Sequence, residues 1–136
     1  MSAQTLRFEF PLPPRLNTNA FRGHWGRAAR EKKQWYSNCD ARQALGLLPR
    51  PPAAPFLHAA IQATLYVARL HDADNAFHRC AKFPLDYLKT RGFIVDDSPT
   101  HIHWTGIPTQ RVTKNGNAHY VEIVLTELSQ LPEPRD

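Results

Sequence analysis

The chain predicts an α/β (α+β) fold, a small mixed β-sheet with helices packed on it. Two observations carry this reading. Stretches with apolar residues at every second position alternate with stretches whose apolar residues recur at helical spacing. Their order is β-α-β-α-β-β, the pattern of a sheet covered by helices. At 136 residues the chain has the length of one domain. Residues 1–136 are therefore expected to form a single domain, with 129–136 as a loose tail.

Leu6-Arg7-Phe8-Glu9-Phe10 alternates and predicts the first strand, stopped by Pro11, Pro13 and Pro14, which lack the N–H a ladder needs. Residues 15–26, rich in Asn, Arg and aromatics, are expected to form a loop. Gly26 to Leu45 is free of proline and predicts a helix. Its apolar stripe is Ala28, Trp35, Cys39 and Ala41, with Arg30, Lys33 and Arg42 facing out. Pro49-Arg50-Pro51-Pro52-Ala53-Ala54-Pro55 is a stiff connector. It is not a domain boundary, because neither half could build its own core.

Phe56 to Leu70 is the strongest strand. Leu57, Ala59, Ile61, Ala63, Leu65 and Val67 share one face, and His58, Gln62, Thr64 and Tyr66 the other. Continuing that period puts Asp72 and Asp74 side by side at or just past the strand end. Asp74 or Asn75 is expected to cap the following helix. Phe77, Cys80, Ala81, Leu85 and Leu88 recur at helical spacing, Pro84 should kink or restart the helix, and Gly92 suits its stop. Phe93-Ile94-Val95 leads into Asp96-Asp97-Ser98. Ile102 to Val112 predicts a strand, Asn115-Gly116 a hairpin turn, and Ala118 to Leu128 the return strand.

The formal net charge is +5, and Arg15, Arg22, Arg27, Arg30, Lys32 and Lys33 cluster near the N-terminus. Such a balance points to a polyanion partner. Cys39 and Cys80 are the only cysteines and make no disulfide framework, so a reduced, cytoplasmic setting is expected. No basic segment leads into an apolar run, and no stretch approaches membrane-spanning length, so neither a signal peptide nor a membrane span is expected.

Asp72, Asp74 and Asp97, with Asp96 as a fourth, are the candidate metal ligands. Clustered carboxylates repel unless a cation neutralises them, and hard oxygen donors suit Mg²⁺, Mn²⁺ or Ca²⁺. Phosphodiester hydrolysis by divalent ions requires such converging carboxylates. Asn75, Arg79 and Lys82 share one face of the predicted helix, where a lysine could stabilise charge in the transition state. A calcium loop of the EF-hand kind is excluded, because Phe77 stands where its glycine belongs and Phe83 where its glutamate belongs. His71, His101 and His103 with the aspartates are an alternative zinc set, although such histidines more often face the surface or a partner. The loop around Arg15, Asn17, Phe21, Arg22 and Trp25 mixes cations, amides and aromatics, a mixture suited to phosphate contacts and base stacking.

Taken in order, Pro13-Pro14-Arg15-Leu16-Asn17, Asp72-Ala73-Asp74-Asn75, Lys82 ahead of Leu85-Asp86-Tyr87-Leu88, and Gly92-Phe93-Ile94-Val95-Asp96-Asp97-Ser98 resemble the RusA-type Holliday junction resolvases, often carried by phages and prophages. The resemblance runs through most of the chain. It implies a homodimeric, Mg²⁺-dependent endonuclease that nicks opposed strands of a four-way DNA junction in recombination and repair. It implies metal binding by Asp72, Asp74 and Asp97, an acidic neighbour at Asp96, and a functional lysine at Lys82. The stretch before Lys82 is roughly one helical turn longer than in the family's shortest form, and His78 stands where an ungapped count would put the lysine. DNA contacts are expected from Arg15, Asn17, Arg22, Arg27, Arg30, Lys33, Asn75 and Arg79. The alternatives are a catalytically silent branched-DNA-binding protein and a nuclease for other branched DNA.

Overall fold

The computed structural model describes residues 3–13, 25–114 and 119–132, the side chains of Trp25, Arg27 and Ala28 excepted. Among the described residues the order is β1 (Thr5–Pro11), α1 (Trp25–Ala44), β2 (His58–Val67), α2 (Ala73–Thr90), β3 (Ile102–Trp104), β4 (Thr109–Val112) and β5 (Tyr120–Leu128). The strands form one mixed sheet in the order β1-β5-β2-β3, with β4 also on β2. This is the expected α+β arrangement of a mixed sheet with two helices.

Alternation decides which face each strand buries. Phe8 and Phe10 of β1, the odd residues Ala59 to Val67 of β2, and Val121, Ile123 and Leu125 of β5 are all buried. The register aligns them, with Phe8 opposite Ile123, and Ile123 opposite Ala63. Leu57 departs from the expected stripe and is 55% exposed, because β2 begins only at His58. α1 covers this face with Trp35 and Cys39, and α2 with Ala76, Cys80, Phe83, Leu85, Tyr87 and Leu88. Ala41 of the expected α1 stripe is exposed. Each buried Leu, Ile or Phe contributes roughly 1.5–3 kcal/mol relative to exposure. Burial pushes both cysteine thiols up to about 12, so they pack as apolar groups.

Polar bonds lock the two helices together. Tyr36 donates to Asp86 at 2.6 Å, and Lys32 pairs with the same carboxylate at 2.7 Å. Arg91 donates twice to Asp40, at 3.0 and 2.9 Å, and Tyr87 donates to Asp40 at 2.9 Å.

Glycine ends both helices. Gly46 and Gly92 adopt positive φ of 78° and 85°. At the second, Phe93 N–H reaches Leu88 O while Gly92 N–H reaches Lys89 O, the double closure of a Schellman motif. α2 runs through Pro84 as one helix, so Pro84 does not restart it. Pro84 lacks the N–H that an interior helical residue donates, and it is buried along with Phe83 and Leu85.

Two strand expectations are corrected. Ile102 to Val112 is two strands, because Gly106-Ile107-Pro108 interrupts the ladder. Both halves pair with β2 in parallel. β4 and β5 do not form a hairpin, since β5 already has β1 on one edge and β2 on the other. Asn115-Gly116 lies outside the described residues.

Candidate functional site

β2 ends at Val67, and the chain then reaches α2 through Ala68, Arg69 and Leu70, all exposed. Asp72, not Asp74 or Asn75, is the N-cap of α2. Its backbone is extended (φ −65°, ψ 162°), and its Oδ1 accepts from Asn75 N–H at 2.8 Å. Asn75 Nδ2 donates to the other oxygen at 3.1 Å. Asp74 lies in the first helical turn, where an acid opposes the positive end of the helix dipole. The two carboxylates thus belong to the cap and the first turn of α2, rather than to a continued strand period. Both side chains are exposed.

Asp97 is elsewhere. After α2 the chain returns to the beginning of β2, where Ile94 pairs in parallel with Phe56. Val95 N–H donates to Phe56 O at 3.1 Å. Asp96 pairs with Lys89 at 3.2 Å, next to the last residue of α2. Its carboxyl is held below the usual range by the N–H of Asp97 and then by Lys89. α2 has 18 residues and so spans ~27 Å at the ordinary helical rise. The Asp96-Asp97 pair thus sits at one end of α2 and the Asp72-Asp74 pair at the other.

The donor chemistry suits a hard divalent cation, since Asp72, Asp74 and Asp97 offer exposed carboxylate oxygens. Among the described residues, no group of three or more His, Cys, Asp or Glu side chains is gathered to hold a metal ion. The fit lies in the kind of donor. Within one protomer, two of the three candidate carboxylates stand at the start of α2.

The helix face expected from Asn75, Arg79 and Lys82 is present but differentiated. Lys82 and His78 are exposed. Asn75 is engaged by Asp72. Arg79 is partly buried, and its Nη2 donates to Pro13 O at 2.9 Å while Nη1 lies 3.5 Å from His71 Nε2. That guanidinium ties the end of β1 to the start of α2. Arg30 and Lys33 are exposed on α1. Arg15, Asn17 and Arg22, and the side chain of Arg27, lie outside the described residues.

One residue near this turn was not anticipated. Gln110 of β4 faces the helix side of the sheet opposite Leu65, and its carboxamide bonds both main-chain groups of His71. The sequence offers one signal for it, a polar residue at the parity of Ile102, Trp104 and Val112.

No known family model matches the chain, and no curated protein is detectably similar to it. No described helix is long and apolar enough to cross a membrane.

Proposed function

We propose that this chain is a divalent-metal-dependent endonuclease for four-way DNA junctions, of the RusA type. The observation that carries this reading is the exposed Asp72-Asp74 pair on the first turn of α2. It follows the C-terminal end of β2, the end at which open α/β sheets place their ligands. The net charge of +5 and the exposed Arg30 and Lys33 on α1 add attraction for a phosphate backbone. A bound Mg²⁺ would supply an activated water and charge neutralisation at the phosphate. Asp72 and Asp74 would hold it, and the exposed Lys82 would approach the substrate phosphate from the same helix.

The third carboxylate gives dimerisation a structural role. Asp97 is a helix length from Asp72 within one protomer. A two-fold axis across α2 sets the two copies of the helix antiparallel, so that Asp97 of each copy lies toward Asp72 and Asp74 of the other. Two equivalent sites then result, as paired nicking of opposed strands requires.

The test is a labelled four-way junction incubated with the protein and Mg²⁺ or Mn²⁺, with linear duplex and a flap as competitors. Symmetric paired nicks in the junction are expected. Binding without cleavage in either metal would leave a silent junction-binding protein, the reading favoured by the separation of Asp97 from Asp72 within one chain. Cleavage of the flap with the junction spared would move the substrate to other branched DNA.

A further inference from the structure

We propose that Gln110 is a positioning residue for the Asp72–Asp74 turn, an inference that rests on the nuclease reading above. Between β2 and α2, Ala68, Arg69 and Leu70 are all exposed, and only at the half-buried His71, whose ring Arg79 approaches at 3.5 Å, does the chain regain contacts. Thr113 N–H still donates to Val67 O at 2.9 Å, and beyond that point the ladder stops. Gln110 then takes over. Its Nε2 donates to His71 O at 2.8 Å, and its Oε1 accepts from His71 N–H at 2.8 Å.

One side chain therefore presents the donor and acceptor that a neighbouring strand would have offered. Gln110 is itself fixed, because β4 is registered on β2 from Thr109 opposite Thr64 to Val112 opposite Val67. The clamp holds the peptide groups on both sides of the His71 Cα. The next residue is Asp72, whose carboxylate caps α2. The direction of that carboxylate is thus set from two sides, by the helix N-terminus after it and by Gln110 before it. Groups that orient ligands without touching the ion set how well a site is organised, and losing one typically weakens metal affinity by about 10–100-fold.

Two full-length variants test this. Gln110→Glu keeps the reach and the acceptor but has no donor for His71 O. Gln110→Leu removes both bonds at similar volume. The measurements are Mn²⁺ affinity by titration calorimetry, amide hydrogen exchange over residues 68–76, melting temperature, and junction binding in Ca²⁺. The expected result is about tenfold weaker Mn²⁺ binding and faster exchange confined to residues 68–76. Melting temperature and junction affinity should stay near wild type. Wild-type Mn²⁺ affinity and exchange in both variants would remove Gln110 from this role and leave the nuclease reading standing. Should the wild-type protein itself bind no Mn²⁺, the nuclease reading fails and this inference fails with it. If Gln110→Leu does not fold, Gln110→Glu decides alone. Faster exchange throughout the sheet in that variant would assign Gln110 to general stability and overturn the proposal.

Discussion

Lys89 and Asp96 pair at 3.2 Å at the C-terminal end of the helix whose N-terminus Asp72 caps. This contact places the second acidic pair away from the first. Burial pins the return of the chain there, since Phe93 and Ile94 are 0% and 1% exposed and Ile94 pairs with Phe56 ahead of β2. The geometry makes the proposed site testable by mixing subunits.

If each site draws Asp97 from a second copy, mixed dimers of Asp74→Asn with Asp97→Asn contain one intact site and one doubly altered site. Each homodimer should be inactive. The mixture should nick one strand of the junction at up to about half the rate per dimer expected of two equivalent sites. Co-expression with two affinity tags isolates the mixed species. A mixed dimer as dead as its parents would show that Asp97 does not act across the two-fold axis.

Asp72 should separate stability from chemistry. Asn is as good an N-cap as Asp, so Asp72→Asn should leave the melting temperature nearly unchanged while abolishing cleavage. Asp72→Ala also loses the bond to Asn75 N–H and should cost ~1 kcal/mol of stability. Thermal melts and single-turnover cleavage give the two readouts. Near-normal cleavage by Asp72→Asn would take this carboxylate out of the site.

Lys82 and His78 are both exposed on α2; the resemblance puts the functional lysine at Lys82, and an ungapped count would put His78 there. If Lys82 stabilises transition-state charge, Lys82→Ala should slow cleavage roughly 100-fold or more with modest loss of junction affinity. His78→Ala should do much less. The reverse ranking in single-turnover kinetics would assign the role to His78.

Asp40 predicts an acid-dependent part of stability. The hydrogen bond from Arg91 holds its carboxyl below the usual carboxylate range, against a smaller opposing effect of burial. A group whose folded pKa is depressed contributes stability above its unfolded value, near pH ~4. That contribution is lost as pH falls through the folded value. Asp40→Asn should therefore lower stability at pH 7 by ~1 kcal/mol, a figure kept small because the pair is partly solvent-screened. The gap to wild type should narrow below pH ~4. Urea melts from neutral to acid pH check it, and a gap that widens on acidification would contradict the assignment.

Local chemistry made much of the fold legible. Alternation over Phe8 and Phe10, over Ala59 to Val67, and over Val121 to Leu125 marks the buried strand faces, because a strand half-covered by helices must alternate. Trp35, Cys39, Cys80, Leu85 and Leu88 marked the buried sides of α1 and α2 in the same way, and Gly92 marked the end of α2. The residue types at the candidate site were also readable, since exposed carboxylates and cations announce themselves by composition.

Partner choice was decided only in three dimensions. Asn115-Gly116 is a local signal for a hairpin, yet β5 took β1 and β2 as neighbours, because register is settled by which edges are free and which faces bury. Asp72 became a cap because α2 begins one residue later. Asp97 came to lie a helix away from it because Phe93 and Ile94 buried themselves beside Phe56. Gln110 met His71 across 39 residues of chain, a contact invisible to any local pattern. Sequence periodicity dictates which face a residue takes. Only the competition among strands for edges, and among apolar groups for the core, decides which distant residues share a place.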